Sequence, residues 1–319
     1  MIPPSGSFEA GSPKLGFVDA GRLGSSLATA LQRAGCTVAA VSRRDARRAS
    51  LLASGLGPHV LGTADAQAVV DTTDVIFLTT TDDRIADLAA SLRFRPGQTV
   101  VHCSGATPVS ALAPAVSAGA TTGGLHPLQT FPDEHGADRF EGVTFGVQSA
   151  DPEVLAWLQQ LSADLGGRSV TLDDSTRPLY HASAVMIGPL TAALAGLAVE
   201  LWTDMGYDRD TGLRALTPLL TDTARHVEEL GLPAAMTGPF VRGDVAPVRM
   251  HLSALASFEP ETARAYAAVA LAQLPLAAER GNIPMGRIQE LRTLLTQALE
   301  ATPAPNGGEK IVTEENHAQ

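Results

Sequence analysis

The chain has 319 residues, of which 45% are hydrophobic and 18% charged, and its formal net charge is −11. A chain about twice the length of a typical domain predicts two domains with ordinary globular cores. Because an acidic surface repels phosphate backbones, this charge argues against nucleic acid as a partner.

The cysteines and the two ends of the chain exclude several further classes. Cys36 and Cys103 lie far apart without CxxC spacing, so we expect no disulfide framework, no metal site and a reducing, cytoplasmic compartment. Residues 1–13 lack the basic and apolar regions of a signal peptide and predict a disordered leader. Residues 302–319 are rich in Pro, Gly and charge and predict a disordered tail.

The first half of the chain alternates short strand-like runs with helical patterns. Strands are predicted at residues 15–19, 37–42, 59–62, 75–80 and 99–104, with helices such as 23–34 and 85–92 between them. Later strands at 143–148 and 169–172 flank a helix at 152–165. This alternation predicts an α/β fold with a doubly wound, mostly parallel sheet.

The turn after the first predicted strand has the sequence DAGRLG, which keeps two glycines of the G-x-G-x-x-G dinucleotide fingerprint. Gly21 allows the backbone to approach a pyrophosphate, and Gly24 allows the next helix to pack against the strand. Asp19 takes the first glycine's place; it tolerates turn conformations, but its carboxylate would weaken binding if it faced the pyrophosphate. The alternative is a tight strand-to-helix turn without a ligand. The predicted cofactor contacts here are Ala20, Gly21, Arg22, Leu23 and Gly24.

The end of the second predicted strand favours NADPH over NADH. Enzymes that use NAD place an acidic residue here, on the ribose 2′-hydroxyl, whereas this chain has Ser42, Arg43 and Arg44. A hydroxyl and two guanidinium groups suit a 2′-phosphate. The alternative is a solvated basic helix start capped by Asp45. We therefore predict a Rossmann domain that binds NADP(H).

Two more loops are expected to flank the cofactor, because ligands of open α/β sheets bind beyond the carboxyl ends of the strands. Thr79 and Thr80 end the fourth predicted strand, and Ser104 and Gly105 end the fifth. Any doubly wound domain has loops at these places, so each loop is weak evidence by itself.

From residue 174 onward, long helical segments follow one another without strand alternation. We expect a Rossmann-like dinucleotide-binding domain at residues 14–173 and an all-helical substrate and dimerisation domain at residues 174–301, with the boundary within residues 173–177.

Residues 182–199 form an uncharged stretch that is long enough to cross a membrane. Its many small residues, its Gly188-Pro189 interruption and the absence of a basic flank instead favour a helix buried in a soluble domain or a subunit interface. We therefore predict no membrane partner, and a homodimer formed through the helical domain.

Several motifs then occur in one order along the chain: DAGRLG at 19–24, VHCSGA at 101–106, GLHPLQTF at 124–131, LYHA at 179–182 and AMTGPFVRGD at 235–244. Together they resemble a bacterial family in which a Rossmann-like domain precedes a helical domain of unknown function, DUF2520. The resemblance covers residues 14–298. The family's architecture is similar to that of ketopantoate reductase and pyrroline-5-carboxylate reductase.

The resemblance implies an NADPH-dependent oxidoreductase that transfers hydride to a small 2-oxo acid, with ketopantoate (2-dehydropantoate) as the best single substrate. An imine reductase of the pyrroline-5-carboxylate type is the nearest alternative. A non-catalytic NADP-binding regulatory dimer is the alternative from another class.

Hydride transfer to a carbonyl builds negative charge on oxygen, so a proton donor is needed there. His181, with its neighbour Tyr180, is the first candidate for a catalytic role, because histidine donates protons near neutral pH. A satisfied structural histidine is the equal alternative. His126, in a predicted loop, is a third candidate that either orients substrate or pins the loop.

Three further residues are candidates for binding substrate. Gln129 and Thr130 suit a carboxylate or hydroxyl, and Arg242 suits bidentate binding of a carboxylate, although a structural pair of Arg242 with Asp244 is the simpler interpretation. The family commonly has an Asn two helical turns after the Tyr-His pair. This chain has Gly188 and Pro189 there, which puts catalysis, more than fold, in doubt.

Overall fold

The computed structural model describes residues 12–281 and 283–301. The chain divides into two units, Met1–Leu190 and Thr191–Gln319. This division falls after the expected boundary at 173–177, so the helix that carries Tyr180 and His181 belongs to the first unit. The predicted disordered tail, and the predicted leader apart from residues 12 and 13, lie outside the described residues.

The first unit is built on one eight-stranded sheet with the order β3-β2-β1-β4-β5-β6-β7-β8. Its strands are β1 (Lys14–Val18), β2 (Thr37–Ser42), β3 (Leu61–Thr63), β4 (Val75–Leu78), β5 (Thr99–His102), β6 (Thr121–Pro127), β7 (Thr144–Gln148) and β8 (Arg168–Thr171). Neighbouring strands are parallel except at the β6–β7 pair. The doubly wound, mostly parallel sheet predicted from the sequence is confirmed.

In its described residues this unit contains seven complete α-helices: α1 (Arg22–Arg33), α2 (Ala46–Leu56), α3 (Ala66–Thr72), α4 (Ile85–Ser91), α5 (Ala113–Ser117), α6 (Pro152–Asp164) and α7 (Arg177–Ile187). Short 3₁₀ helices cover Asp82–Arg84, Val109–Leu112 and Gly136–Phe140. Asp45, Asp65 and Asp151 begin α2, α3 and α6, because each carboxylate accepts hydrogen bonds from backbone N–H groups of the first turn.

Apolar layers lie on both faces of the sheet. Phe17 and Phe77 point to one face and stack with ring centroids 4.9 Å apart, in a core shared with α1 and α6. Their strand neighbours Val18 and Ile76 point to the other face, towards a core that includes Ile85 of α4. Because side chains of a strand alternate between faces, the continuous apolar runs of β1 and β4 are explained by helices on both sides.

The structure corrects the prediction that His126 lies in a loop. Residues Thr121–Pro127 form β6, which pairs with β5 on one side and β7 on the other, and His126 faces Gly146 in the register. Two glycines and a proline weaken the strand pattern in the sequence. Hydrogen bonds to the neighbouring strands on both sides stabilise β6 despite its low local strand propensity.

The second unit is all-helical in its described residues. It contains α8 (Pro189–Asp204, of which the first two residues belong to the first unit), α9 (Arg209–Leu230), α10 (Pro239–Arg242), α11 (Val245–Phe258), α12 (Pro260–Glu279) and α13 (Met285–Glu300). Its core comes from α10 to α13 and includes Phe240, Val248, Leu274 and Leu291. In contrast, α8 and α9 bury only Val199 and Gly212.

Residues 177–204, which comprise α7, Gly188 and α8, are long and apolar enough to cross a membrane by length and composition alone. We expected this stretch to be buried, but only 6% of its most apolar window is buried in the single chain. The described chain therefore does not bury this stretch by itself, and its burial in a subunit interface stays a prediction. Pro189 begins α8, as expected for a residue that cannot continue a helix but suits its first turn.

Candidate functional site

A cavity of about 440 Å³ lies at the carboxyl end of the sheet, where the turns after β1, β2 and β4 meet. It is lined by six residues predicted to bind cofactor, namely Ala20, Gly21, Arg43, Arg44, Thr79 and Thr80, and also by Asp19, Asp45, Arg48, Thr81 and Arg84. The other predicted cofactor residues, Arg22, Leu23, Gly24, Ser42, Ser104 and Gly105, are not part of this lining. The structure therefore brings three separate sequence motifs together around one space.

The turn between β1 and α1 is tight. Asp19 has φ 57° and is the one non-glycine residue of the described chain with a positive φ. The Gly21 N–H donates to the Asp19 carbonyl at 2.6 Å. The Asp19 carboxylate lies 3.2 Å from Nη1 of Arg84, so its charge is balanced by an arginine that the sequence analysis did not single out.

Gly24 and Ser42 support the turn from behind. A Cβ on Gly24 would lie 2.9 Å from Cβ of Thr79, so only glycine allows α1 to approach the end of β4 this closely. Ser42 is 2% exposed, its carbonyl accepts from the Ala20 N–H at 2.8 Å, and its Oγ lies 3.4 Å from the Asp19 N–H. Both residues shape the cavity without lining it.

Arg43 is paired with Glu134, a residue that the sequence analysis missed. Nη1 and Nη2 of Arg43 lie 2.7 and 2.5 Å from the two carboxylate oxygens of Glu134. The Arg43 hydrogen bond lowers the pKa of Glu134, and the same bond raises the pKa of Arg43, so both groups are charged at neutral pH. Nη1 of Arg48 lies 3.9 Å from the same carboxylate.

A second cluster in the first unit contains all three catalytic candidates. The rings of His126 and His181 lie 6.0 Å apart, and those of His126 and Tyr180 lie 5.5 Å apart. Gly105 contacts both histidines, because a Cβ there would lie 2.7 Å from Cδ2 of His181 and 2.9 Å from Nε2 of His126. Gly105, predicted as a cofactor residue, thus lies beside the catalytic candidates.

Hydrogen bonds fix His126 and Tyr180 to each other. The Tyr180 hydroxyl lies 2.9 Å from Nδ1 of His126 and donates to the His126 carbonyl at 3.2 Å. Burial, reinforced by His181 and Arg177, lowers the pKa of His126 to about 4, and burial raises the pKa of Tyr180 to about 12. Both side chains are therefore neutral at pH 7, and this hydrogen-bonded pair lies next to His181.

Arg177 at the start of α7 is a further residue that the sequence analysis missed. It is fully buried; its Nε donates to Oε1 of Gln148 at 2.6 Å, and its Nη1 donates to the Ser104 carbonyl at 2.8 Å. Gly124 of β6 leaves room for the guanidinium. Arg177 therefore ties the ends of β5 and β7 to the helix that carries Tyr180 and His181. Arg177 follows the polar residues 173–176, so its local sequence gives no signal for such burial.

The predicted substrate residues are distributed over both units. Gln129 and Thr130 are exposed after β6, and Oε1 of Gln129 accepts from the Thr130 N–H at 2.8 Å. Arg242, in the second unit, lies 2.7 Å from Asp244 and lines a cavity of about 480 Å³ with Thr237 and Arg280. The structural pair weighed in the sequence analysis is thus present, while the substrate role of Arg242 remains a prediction.

Two sequence profiles match the chain. Residues 2–127 match the Rossmann-like domain, and residues 143–273 match a domain of unknown function, DUF2520. Among proteins with curated descriptions, none matches the sequence significantly.

Solved structures share the fold over nearly their whole length. A protein from Bacteroides fragilis assigned as an NADP oxidoreductase has 26% identity and a TM-score of 0.67, with 82% of this chain and 98% of that one aligned. Protein TM1727 from Thermotoga maritima has 21% identity and a TM-score of 0.69, with 83% and 99% aligned. A reductive aminase from Aspergillus terreus in complex with NADPH and ethyl-5-oxohexanoate has 16% identity and a TM-score of 0.54, with 90% and 93% aligned.

Proposed function

Because the chain belongs to the family that joins a Rossmann-like domain to a DUF2520 domain, we propose that it is an NADPH-dependent oxidoreductase. The observation that carries the proposal is the cavity at the β1–α1 turn, with Arg43 and Arg44 at its β2 edge. The similar protein from Bacteroides fragilis, assigned as an NADP oxidoreductase, supports it.

The residues present fit NADPH, which when bound supplies a hydride for reduction. Gly21 offers open backbone at the amino end of α1, where N–H groups favour a pyrophosphate. Thr79 and Thr80 border the same cavity, and Arg43 and Arg44 offer guanidinium groups to a 2′-phosphate.

The proposed substrate is a small 2-oxo acid, with ketopantoate as the first choice. His181 is the proposed proton donor to the substrate oxygen, because it adjoins the neutral His126–Tyr180 pair that holds its surroundings in place. Gln129, Thr130 and Arg242 are the proposed contacts to the substrate carboxylate or hydroxyl. An imine is the second candidate substrate, and the fold shared with the reductive aminase is compatible with it.

The experiment that tests this function follows NADPH absorbance with ketopantoate and with pyrroline-5-carboxylate. Turnover of ketopantoate is expected. Turnover of pyrroline-5-carboxylate alone would assign the second candidate, and NADPH binding without turnover of either would favour the regulatory dimer. Absence of NADPH binding would refute all three.

A double variant tests cofactor choice. Arg43→Ala with Arg44→Ala should weaken NADPH binding at least about tenfold more than NADH binding, because charge-assisted bonds to a phosphate are lost. Arg33→Ala is the matched control, since Arg33 is exposed and paired with Asp138 and does not line the cavity. Equal losses for both cofactors would show that the two arginines do not contact the 2′-phosphate.

We further propose a cytoplasmic homodimer in which a second copy covers the apolar side chains of α8 and α9. Leu194, Leu213, Leu219 and Leu230 are between 41% and 66% exposed in the single chain, which is unusual for so many leucines in one helix pair. Both cysteines are free and buried, which is consistent with a reducing compartment.

A further inference from the structure

Arg43, the residue proposed to bind the 2′-phosphate, is already paired with a carboxylate side chain of the same protein. Both of its terminal nitrogens bond to the two oxygens of Glu134, at 2.7 and 2.5 Å, in the side-by-side geometry that a guanidinium also uses for phosphate. The Arg43 side chain is only 12% exposed, so it has little freedom to serve two anions at once. Arg48 adds a second positive charge, with its Nη1 3.9 Å from Oε1 of Glu134, the same oxygen that Nη2 of Arg43 contacts.

Glu134 reaches this place from a distant part of the chain, 91 residues from Arg43. It lies in the segment between β6 and the 3₁₀ helix Gly136–Phe140. That segment is anchored on both sides of Glu134. The Gly136 N–H donates to Oγ of Ser26 in α1 at 3.0 Å, and the rings of Phe131 and Phe140 lie 5.1 Å apart. Because Glu134 is 38% exposed, its side chain has room to rotate towards solvent while the anchors stay in place.

We propose that Glu134 is an internal competitor for the cofactor's 2′-phosphate and thereby sets the cofactor preference of the site. This inference rests on the proposed NADPH function. A phosphate and a carboxylate cannot share the fork of Arg43 without like-charge repulsion at close range, so NADPH must displace Glu134. NADH presents a hydroxyl instead, which leaves the Glu134–Arg43 pair intact and can donate to the carboxylate, as ribose hydroxyls do to acidic residues in NAD enzymes.

The test uses the full chain and two small probes that differ only in the group concerned, 2′,5′-ADP and 5′-AMP, with binding measured by calorimetry. Glu134→Gln keeps the size of the side chain and removes its charge. We expect this variant to bind 2′,5′-ADP about tenfold more tightly than the wild type does, since one charge-assisted pair no longer has to be broken. Its affinity for 5′-AMP should stay within about twofold of the wild-type affinity. The same pattern is expected for NADPH against NADH.

Asp138→Asn is the matched control. It removes the same charge from the same part of the chain, but the partner of Asp138 is exposed Arg33, which does not line the cavity, whereas the partner of Glu134 is Arg43, which does; neither probe should therefore change. In an Arg43→Ala background, Glu134→Gln should no longer tighten the binding of 2′,5′-ADP, because the guanidinium for which carboxylate and phosphate compete is absent.

If Glu134→Gln binds both probes more tightly by the same factor, the effect is a general charge effect and the inference is overturned. Unchanged binding of 2′,5′-ADP would also overturn it. Weaker 2′,5′-ADP binding in Glu134→Gln would show instead that Glu134 supports Arg43. These binding outcomes are independent of turnover. If the protein reduces neither substrate but binds 2′,5′-ADP, the proposed reductase function fails while the inference about Glu134 can still be tested and upheld. If the wild type binds neither 2′,5′-ADP nor NADPH, the proposed function and the inference are both overturned.

Discussion

Asp19 combines a positive φ with an ion pair to Arg84, in a turn where a dinucleotide fold ordinarily has glycine. The left-handed conformation costs an ordinary side chain about 1–2 kcal/mol, whereas aspartate tolerates it and glycine adopts it freely. Asp19→Ala should therefore lower the free energy of unfolding by more than Asp19→Gly, by about 1 kcal/mol, although both variants lose the pair with Arg84. Urea unfolding of the two variants measures this difference. An alanine variant as stable as the glycine variant would contradict it.

His126 should make the folded state sensitive to acid. Burial lowers its pKa to about 4 from an ordinary value of 6.5, so the unfolded chain binds a proton near pH 6.5 and the folded chain does not. The stabilisation is therefore complete above pH 6.5 and is lost as the pH falls towards 4, by up to about 3 kcal/mol. Buried His102, whose pKa is lowered to about 3, acts in the same direction.

Two measurements check this pH dependence. Urea unfolding between about pH 7 and about pH 4.5, a range of about 2.5 units that covers most of the expected window, should show a shallower loss of stability for His126→Gln than for the wild type. His59→Gln, which removes an exposed histidine, should keep the wild-type slope. An NMR titration of the wild-type His126 ring adds a readout that does not depend on variant folding, and a midpoint near neutral pH would sink the prediction.

At the scale of elements, Gly24 sets how closely α1 approaches β4. A Cβ there would lie 2.9 Å from Cβ of Thr79, so Gly24→Ala should destabilise the protein by about 1–3 kcal/mol although alanine favours helices. Gly55 in α2 is the matched control, because apart from its chain neighbours and the helix's own backbone no atom lies within 4 Å of the position that an alanine methyl would take there. Gly55→Ala should therefore stabilise the protein by up to about 1 kcal/mol. Thermal unfolding of the two variants tests the opposite signs, and equal signs would contradict the packing argument.

The strands could be predicted from the sequence where apolar runs are continuous. The runs at β1, β2, β4 and β5 are buried on both faces, and each was predicted to within two residues of its observed ends. The strand β6 was missed because its glycines are required by neighbours from elsewhere, Gly123 by α6 and Gly124 by Arg177. Such a requirement is tertiary and leaves no local pattern.

The candidate site could be predicted in part for the same reason. The β1–α1 turn and the Ser42-Arg43-Arg44 motif are local, and the structure places Gly21, Arg43 and Arg44 at one cavity. Two charged residues of that lining have partners far away in the sequence: Arg43 pairs with Glu134, 91 residues away, and Asp19 pairs with Arg84, 65 residues away. An ion pair over such a distance depends on the order of strands in the sheet, which a single sequence does not show.

At the scale of the whole molecule, the exposed leucines of α9 require cover that the described chain does not supply. Leu219 is 66% exposed in the middle of α9, so a second copy that covers this helix would bury it. The wild type should therefore have the mass of a dimer by light scattering, and Leu219→Arg should shift it towards the monomer because a charge would be buried on each side of the interface.

Leu51→Arg is the control for that experiment, since Leu51 is also 66% exposed but belongs to α2 of the Rossmann-like domain and to neither helix of the proposed interface. Its dimer mass should be unchanged, which separates an interface effect from the general effect of a new charge. If Leu219→Arg aggregates, dilution of the wild type provides the same test, because a dimer held by apolar helices dissociates with falling concentration. A wild type with a monomer mass at all concentrations would contradict the dimer, and the apolar side chains of α8 and α9 would then need another partner.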